Sequence, residues 1–380
     1  MSSVHVSRRQ LLSGLAGAYL LSAARAQERS PPGPNDWHLG PFRRVRAEPI
    51  LGPDAHPVFY CPMRKKAINW LSGHSFNPAS IAKDGRLWLL FRAEDTTGSK
   101  EIGGHTSRLG LAWSDDGIRF NVLPAPVLFP GEDDQKAAEW DGGCEDPRLC
   151  ESQDGTYIAT YTQWNHRNTL LGIASSRDLV TWTKHGQAFA GTAYEGMHTK
   201  SASIIQVVDG GRMKAAKING KYWMVFGEGT VHLAQSVDLI RWQPVENSPG
   251  ELGVLLSPRP FRFDSKLVEV GPPPLLTSKG IVMLYNGKNS GDDQQRDPAI
   301  GAGAYSGGQA LLHPADPLRV LARDETPFIQ PELPWERNGQ YVAGTTFIEG
   351  LTYFRGRLHL YYGSADTYVG LAASDPISAF

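Results

Sequence analysis

A chain of 380 residues can hold two ordinary domains or one large all-β domain, and a formal charge of −1 supplies no long-range field to draw in nucleic acid or an anionic membrane. Forty-one Gly, 27 Pro, ten Trp and 13 Tyr, with few long apolar helical patterns, point to many short strands joined by tight turns, and the aromatic richness suits stacking against sugars. Three cysteines, Cys61, Cys144 and Cys150, are too few for a disulfide framework and too scattered for a zinc site, so Cys144 and Cys150 are expected as small buried residues rather than a bonded pair.

Residues 1–26 read as a twin-arginine signal peptide. Ser7-Arg8-Arg9-Gln10-Leu11-Leu12 is followed by the small and apolar run from Ser13 to Ala23 and by an Ala24-Arg25-Ala26 cleavage site. The expectation is an exported chain, periplasmic or secreted, whose mature form begins near Gln27. No other run approaches the ~18 apolar residues of a membrane span, so no membrane association is expected after cleavage. Residues 27–36, with Ser30-Pro31-Pro32-Gly33-Pro34-Asn35, have the composition of a linker, and one folded catalytic domain is expected over 37–380.

One pattern then recurs: a short apolar run, Ala, a polar pair, Asp, and an aromatic residue a few positions later. It appears in the stretches opening at Leu109, Leu171 and His232, more weakly from Gln309 to Val320, and again from Val369 to Asp375. Each copy is preceded by a strand-like run, namely Leu87–Phe91, Tyr157–Tyr161, Tyr222–Phe226, Ile281–Tyr285 and Leu358–Tyr362. Each run follows a turn pair: Asp84-Gly85, Asp154-Gly155, Asn219-Gly220, Lys279-Gly280 or Arg355-Gly356. A period of roughly 60 residues with several short strands per unit predicts an all-β, five-bladed β-propeller, the competing architecture being a β-sandwich with coincidental turns. Loops between blades gather around a central channel, so residues far apart in sequence can converge there.

Between the first two copies lies Gly143-Cys144-Glu145-Asp146-Pro147-Arg148-Leu149. Pro147 has no N–H for a sheet ladder and biases Asp146 toward extended backbone. This predicts the start of a strand or a rim loop, with a carboxylate aimed into a cleft. The alternative is a surface turn whose Asp and Arg pair with each other.

The stretches Phe76-Asn77-Pro78-Ala79, Leu89 to Glu94, Ser107-Arg108-Leu109-Gly110, Gly143 to Arg148, Gly271-Pro272-Pro273-Pro274 and Tyr361 to Asp366 occur in an order that resembles glycoside hydrolase family 130, the mannoside phosphorylases and related β-mannosidases. The resemblance implies that Asp146 is the general acid, passing its proton through the 3-hydroxyl of the bound mannose. It also implies that Asn77, Arg92 and Asp366 hold sugar hydroxyls. Glu145 and Arg108 lie within the matching motifs and are expected at the substrate, and Glu145 with apolar neighbours is expected to raise the proton affinity of Asp146.

Phosphorylases of the family carry a His-Arg pair where this chain has Phe226-Gly227-Glu228-Gly229. They usually carry a small residue where it has Val268-Glu269-Val270. Two carboxylates at an anion site repel phosphate and suit activation of water, so Glu228 and Glu269 are candidate bases in an inverting hydrolysis of β-mannosides, with β-1,2 linkage implied by the hydrolytic branch. Lys200 and Arg148 still match basic positions of the phosphorylases, which keeps release of mannose 1-phosphate as the alternative. A further alternative is a non-catalytic glycan-binding propeller. A related furanosidase is disfavoured because Asn77 stands where those enzymes carry an aspartate. The expected partner is a manno-oligosaccharide. No cofactor is expected, and His105, His198 and His232 show no metal-ligand spacing.

Overall fold

The computed structural model describes residues 36–99 and 101–377. The expected signal segment, and all of the expected linker except Asp36, lie outside the described residues. Among the described residues the chain is almost entirely β, with single helical turns at Lys136–Glu139 and Pro334–Arg337.

The strands form five antiparallel meanders in chain order. The first runs through His74–Lys83, Arg86–Gly98, His105–Ser114 and Asn121–Val122. The second uses Gly143–Glu151, Tyr157–Trp164, Thr169–Ser176 and Thr183–Gln187. The third uses Ala202–Ile204, Lys221–Phe226, His232–Ser236 and Gln243–Pro244. In the fourth, Leu267–Val270 and Leu275–Thr277 both pair with Gly280–Lys288, followed by Tyr305–His313 and Asp316–Arg323. The fifth comprises Phe347–Phe354, Arg357–Ser364 and Tyr368–Ser374, and its fourth strand is the early segment Phe42–Arg44, paired to Tyr368–Ser374.

Every strand-like run singled out in the sequence occupies the second position of its meander, and every repeat copy the third. The sequence turn pairs explain why. Asp84-Gly85, Asn219-Gly220 and Arg355-Gly356 all have positive φ at both residues, as a type I′ turn requires, and each closes a two-residue hairpin. The Ser-x-Asp element is likewise one physical unit built three times. The Oδ1 of Asp116, Asp178 and Asp238 accepts backbone N–H bonds from the residues two and three positions on, and Ser114, Ser176 and Ser236 cap the same turns.

Packing links each meander to two others. Leu90, Leu111, Leu149 and Ala159 form a core shared by the first and second. Ile158, Ile173, Met224 and Phe226 join the second to the third. Val225, Val268, Met283 and Leu312 join the third to the fourth, and Leu284, Leu311, Ile348 and Leu360 the fourth to the fifth. Leu89, Phe91, Tyr361 and Leu371 join the fifth back to the first. No meander buries its own two faces, so burial of apolar surface makes the five interdependent.

The acidic motif opens the strand Gly143–Glu151, as expected of a strand start, but all nine residues of that strand are buried and Asp146 has φ of +46° instead of an extended backbone. The register shifts between Glu145 and Arg148, so Asp146 and Pro147 sit in a β-bulge where the missing proline N–H leaves no gap in the ladder. Asn77, also before a proline and also at φ +46°, occupies the corresponding bulge of the first meander.

Arg148, 2% exposed, reaches from that bulge to other meanders. Its guanidinium donates to Val270 O (2.6 Å), Gly271 O (3.3 Å) and Asp146 O (3.1 Å), and lies 2.9 Å from Glu349 Oε1. Removing the cation takes away the counter-charge of a buried carboxyl and a donor from three carbonyls, of which Gly271 O keeps Ser203 Oγ at 2.7 Å and Val270 O a long bond from Asn286 Nδ2. Arg148→Met is expected to cost roughly 3–5 kcal/mol in denaturant unfolding, and adding Glu349→Leu to recover a large part of that loss.

Candidate active site

Segments of all five meanders converge on a cleft of about 300 Å³. Of the ten residues selected from sequence, seven line it: Asn77, Arg92, Asp146, Lys200, Glu228, Glu269 and Asp366. The positive φ of Asn77 and Asp146 is a conformation that Asn and Asp tolerate better than most residues, and it breaks the strand alternation that would otherwise fix where their side chains point, whereas Asp366, also at positive φ, sits in the turn between Arg357–Ser364 and Tyr368–Ser374. Close packing holds this geometry. A Cβ on Gly363 would meet Asn77 Oδ1 at 1.9 Å, so only glycine fits beside the first bulge.

One wall is a carboxylate cluster around Arg92. The guanidinium lies 2.6 Å from Glu94 Oε1, 2.8 Å from Glu145 Oε1 and 3.2 Å from Asp146 Oδ1, and Asn77 Nδ2 donates to the same Asp146 oxygen at 2.8 Å. Burial alone would raise the pKa of Asp146. Arg92, Lys200, Asn77 and Arg148 outweigh it and hold the carboxylate below its ordinary range. The raised proton affinity expected for Asp146 is therefore found on its neighbours. Burial pushes Glu145 up to about 7 despite Arg92, and Asp366 up to about 6. In the free protein Asp146 carries charge, whereas Glu145 and Asp366 hold their protons to a higher pH than ordinary carboxyls do.

The other wall pairs Glu228 with Glu269, direct partners across Glu228–Gly229 and Leu267–Val270. Lys200 Nζ sits 3.4 Å from a carboxylate oxygen of each. Burial would strip its proton, but Glu269, Glu228 and Asp146 hold it as a cation. Ser201 Oγ donates to Glu269 Oε1 at 2.6 Å, whereas the buried Oε2 of Glu269 has no hydrogen-bond partner. Burial, reinforced by the charge of Glu228, raises Glu269 to about 7 against the opposing pull of Lys200 and Ser201. Gly227, at φ +119°, makes the turn into this pair, and a Cβ there would meet Thr230 O at 2.4 Å.

The remaining three sequence choices lie behind the cleft. Glu145 faces inward to Arg92 and Ser107. Arg148 is committed to the inter-meander contacts described above. Arg108, 1% exposed, pairs with Asp95 at 2.9 Å and stands over the Phe59 ring. Sequence inspection passed over Phe76, Tyr305, Tyr341, Lys288 and Gln340, which also line the cleft. Lys288 lies over both tyrosine rings, 5.0 Å from Tyr305 and 5.2 Å from Tyr341. Phe76 stood in a quoted motif without being chosen, aromatic richness was the only signal for Tyr305 and Tyr341 and did not say which rings face the cleft, and Lys288 and Gln340 carried no signal.

The sequence profile of glycoside hydrolase family 130, described as beta-1,4-mannooligosaccharide phosphorylase, matches residues 55–377. The chain is 31% identical over 335 residues to a 1,2-beta-oligomannan phosphorylase from Thermoanaerobacter sp., covering 87% of this chain and 96% of that protein. Among solved structures it is similar, at TM-score 0.88 and 45% identity over 92% of this chain and 99% of the other, to one described by the statement that the GH130 family of mannoside phosphorylases contains glycoside hydrolases that target beta-1,2 mannosidic linkages in Candida mannan. It also resembles a glycosyl hydrolase from Bacteroides ovatus at TM-score 0.87 and 46% identity, covering 90% and 97% of the two chains.

A carboxyl held near 7 in the fold and titrating near its ordinary value of 4.5 in the unfolded chain penalises folding once it ionises. Between those values the native state holds the proton that the unfolded chain has lost, so stability falls as pH rises, and the whole cost is present above about 7. Glu269→Gln is therefore expected to stabilise the protein by about 1–3 kcal/mol at pH 8, with the gain fading toward pH 4.5, as read by denaturant unfolding across pH.

Proposed function

The chain belongs to glycoside hydrolase family 130, and from that membership we propose that it is an exported, inverting hydrolase of β-mannosides, acting on β-1,2-linked manno-oligosaccharides from a five-bladed β-propeller. Five meanders, each sharing a core with two others and the fifth with the first, support the propeller. The Ser7 to Leu12 motif supports export through the twin-arginine route.

The observation that carries the choice of water over phosphate is the Glu228–Glu269 pair. A phosphate dianion beside Lys200 would also face two carboxylates between which that lysine is already shared, while the other lysine of the cleft, Lys288, lies over Tyr305 and Tyr341. A water molecule has the opposite preference. The oxygen of Glu269 that lacks a partner accepts its proton, while Ser201 and Lys200 fix the other oxygen, and Glu228 orients the water from the strand opposite. Water attacks the anomeric carbon from the face away from the leaving group, so the configuration inverts and no covalent intermediate forms.

Acid assistance comes from the Arg92 cluster. Asp146 is its reactive end, and Glu145 and Asp366, whose proton affinity is raised, are the proton donors beside it. Sugar binding excludes water from the cleft, which penalises the charge on Asp146 and draws a proton onto it. Asp146 then protonates the glycosidic oxygen through the 3-hydroxyl of the mannose, with Asn77 and Arg92 holding its carboxylate in place. The one observation favouring phosphorolysis instead is the retained Lys200 cation, in a chain similar to a 1,2-beta-oligomannan phosphorylase.

Purified protein with β-1,2-mannobiose is expected to release free mannose in phosphate-free buffer, and product formed only as mannose 1-phosphate would overturn the hydrolytic assignment. Asp146→Asn and Glu269→Gln are each expected to lower kcat by roughly 10²–10⁴-fold. Hydrolysis should follow a narrow bell in pH. Its maximum should lie between about 6 and about 7, because only there does a sizeable fraction combine an ionised Glu269 with a proton still held by Asp366 or Glu145; the rate falls below about 6 as Glu269 stays protonated and above about 7 as the acid cluster empties. An acid limb in the ordinary carboxylate range would transfer the role of base to Glu228.

A further inference from the structure

At the edge of the cleft, the first meander brings together three side chains that no step of the chemistry above uses as acid or base. His74, Glu94 and His105 come from three consecutive strands, with His74 and Glu94 as direct cross-strand partners. One ligand-capable atom from each lies within 4.8 Å of the other two. The spacing in sequence, 20 and then 11 residues, matches no metal motif, which is why the group is invisible until the strands pair.

Three features make the group resemble a prepared ligand set. His105 Nδ1 is 2.9 Å from Thr97 O, and His74 Nδ1 is 3.1 Å from Thr367 Oγ1. Each ring thus has one nitrogen fixed by an outer partner and Nε2 left over, the arrangement that sets the tautomer of metal-binding histidines. The rings of His74 and His105 lie beside each other, with centroids 5.5 Å apart. Glu94 divides its work: Oε1 receives Arg92 and Ser107, whereas Oε2 accepts only a long 3.3 Å bond from Gln340.

We propose that His74, Glu94 and His105 bind one divalent transition-metal ion, with zinc the best match. Two imidazoles and a carboxylate with an open fourth position suit zinc, and ligand atoms around tetrahedral zinc lie roughly 3.3 Å apart, so small side-chain rotations close the site. The role is positional. A metal on Glu94 Oε2 anchors Oε1 against Arg92, which in turn meets Glu145 and Asp146. His105 also closes the segment that carries Ile102 to the cleft, so the ion ties that segment to the strand below.

The test uses the full chain stripped with a chelator and titrated with Zn²⁺ by calorimetry, with metal analysis after dialysis. One zinc per chain and a rise in Tm on loading are expected. His74→Gln with His105→Gln should abolish both. Thr367→Val, which keeps every ligand and removes only the hydroxyl beside His74, should weaken binding roughly 10–100-fold. Bound zinc below a tenth of an equivalent in the loaded wild-type chain overturns the site, as does an affinity unchanged in the double variant. Should the double variant fail to fold, an unchanged affinity in Thr367→Val overturns it instead. Because the readouts are binding and Tm, the result does not depend on whether water or phosphate cleaves the substrate.

Discussion

Two buried guanidiniums set the terms for the rest of the structure. Arg148 draws carbonyls from its own strand and from the fourth meander, and a carboxylate from the fifth, onto one planar cation. Arg92, on the second strand of the first meander, gathers Glu94, Glu145 and Asp146. A charge removed from water is tolerated only where its partners are fixed in number and direction, so these two residues oblige the meanders to meet in one arrangement. The apolar cores between meanders supply the larger driving force but tolerate sliding. The charged centre does not.

That constraint also shapes the acid–base chemistry. Arg92 is close enough to keep Asp146 ionised in the resting protein, so the raised proton affinity of the cluster falls on Glu145 and Asp366. Across the cleft, Lys200 keeps two glutamates together without saturating them, and burial leaves Glu269 balanced near neutral pH. The two walls share a logic: a cation holds a set of carboxylates whose number exceeds its charge, and the surplus is expressed as raised proton affinity rather than as an unfolded chain. Such a site is costly to fold and suited to moving protons.

Backbone strain contributes to the same end. Asn77 and Asp146 occupy left-handed conformations in bulges before prolines, at corresponding places in two meanders. A regular strand would send neighbouring side chains to alternate faces, whereas the bulge turns the polar residue toward the cleft while the flanking strand remains paired. The proline that made this stretch look unsuitable for a strand interior occupies the one place where a strand interior has no use for an N–H.

Much of the fold was legible in the chain. The turn pairs, the second-position strands and the Ser-x-Asp units are local signals, set by backbone conformation and by contacts within a few residues, and they placed all five meanders. Motif resemblance likewise located seven cleft residues, because chemistry constrains residue type at those positions. Three things only the tertiary structure decided. It assigned Arg108, Arg148 and Glu145 to buried pairs behind the cleft, since charge and motif position look the same in sequence whether a side chain faces substrate or another strand. It moved the raised proton affinity from Asp146 to Glu145, Asp366 and Glu269, since a pKa depends on burial and on charges brought from distant segments. And it joined His74 to Glu94 and His105, because strand pairing across hairpins erases the sequence separation from which a metal site is ordinarily read.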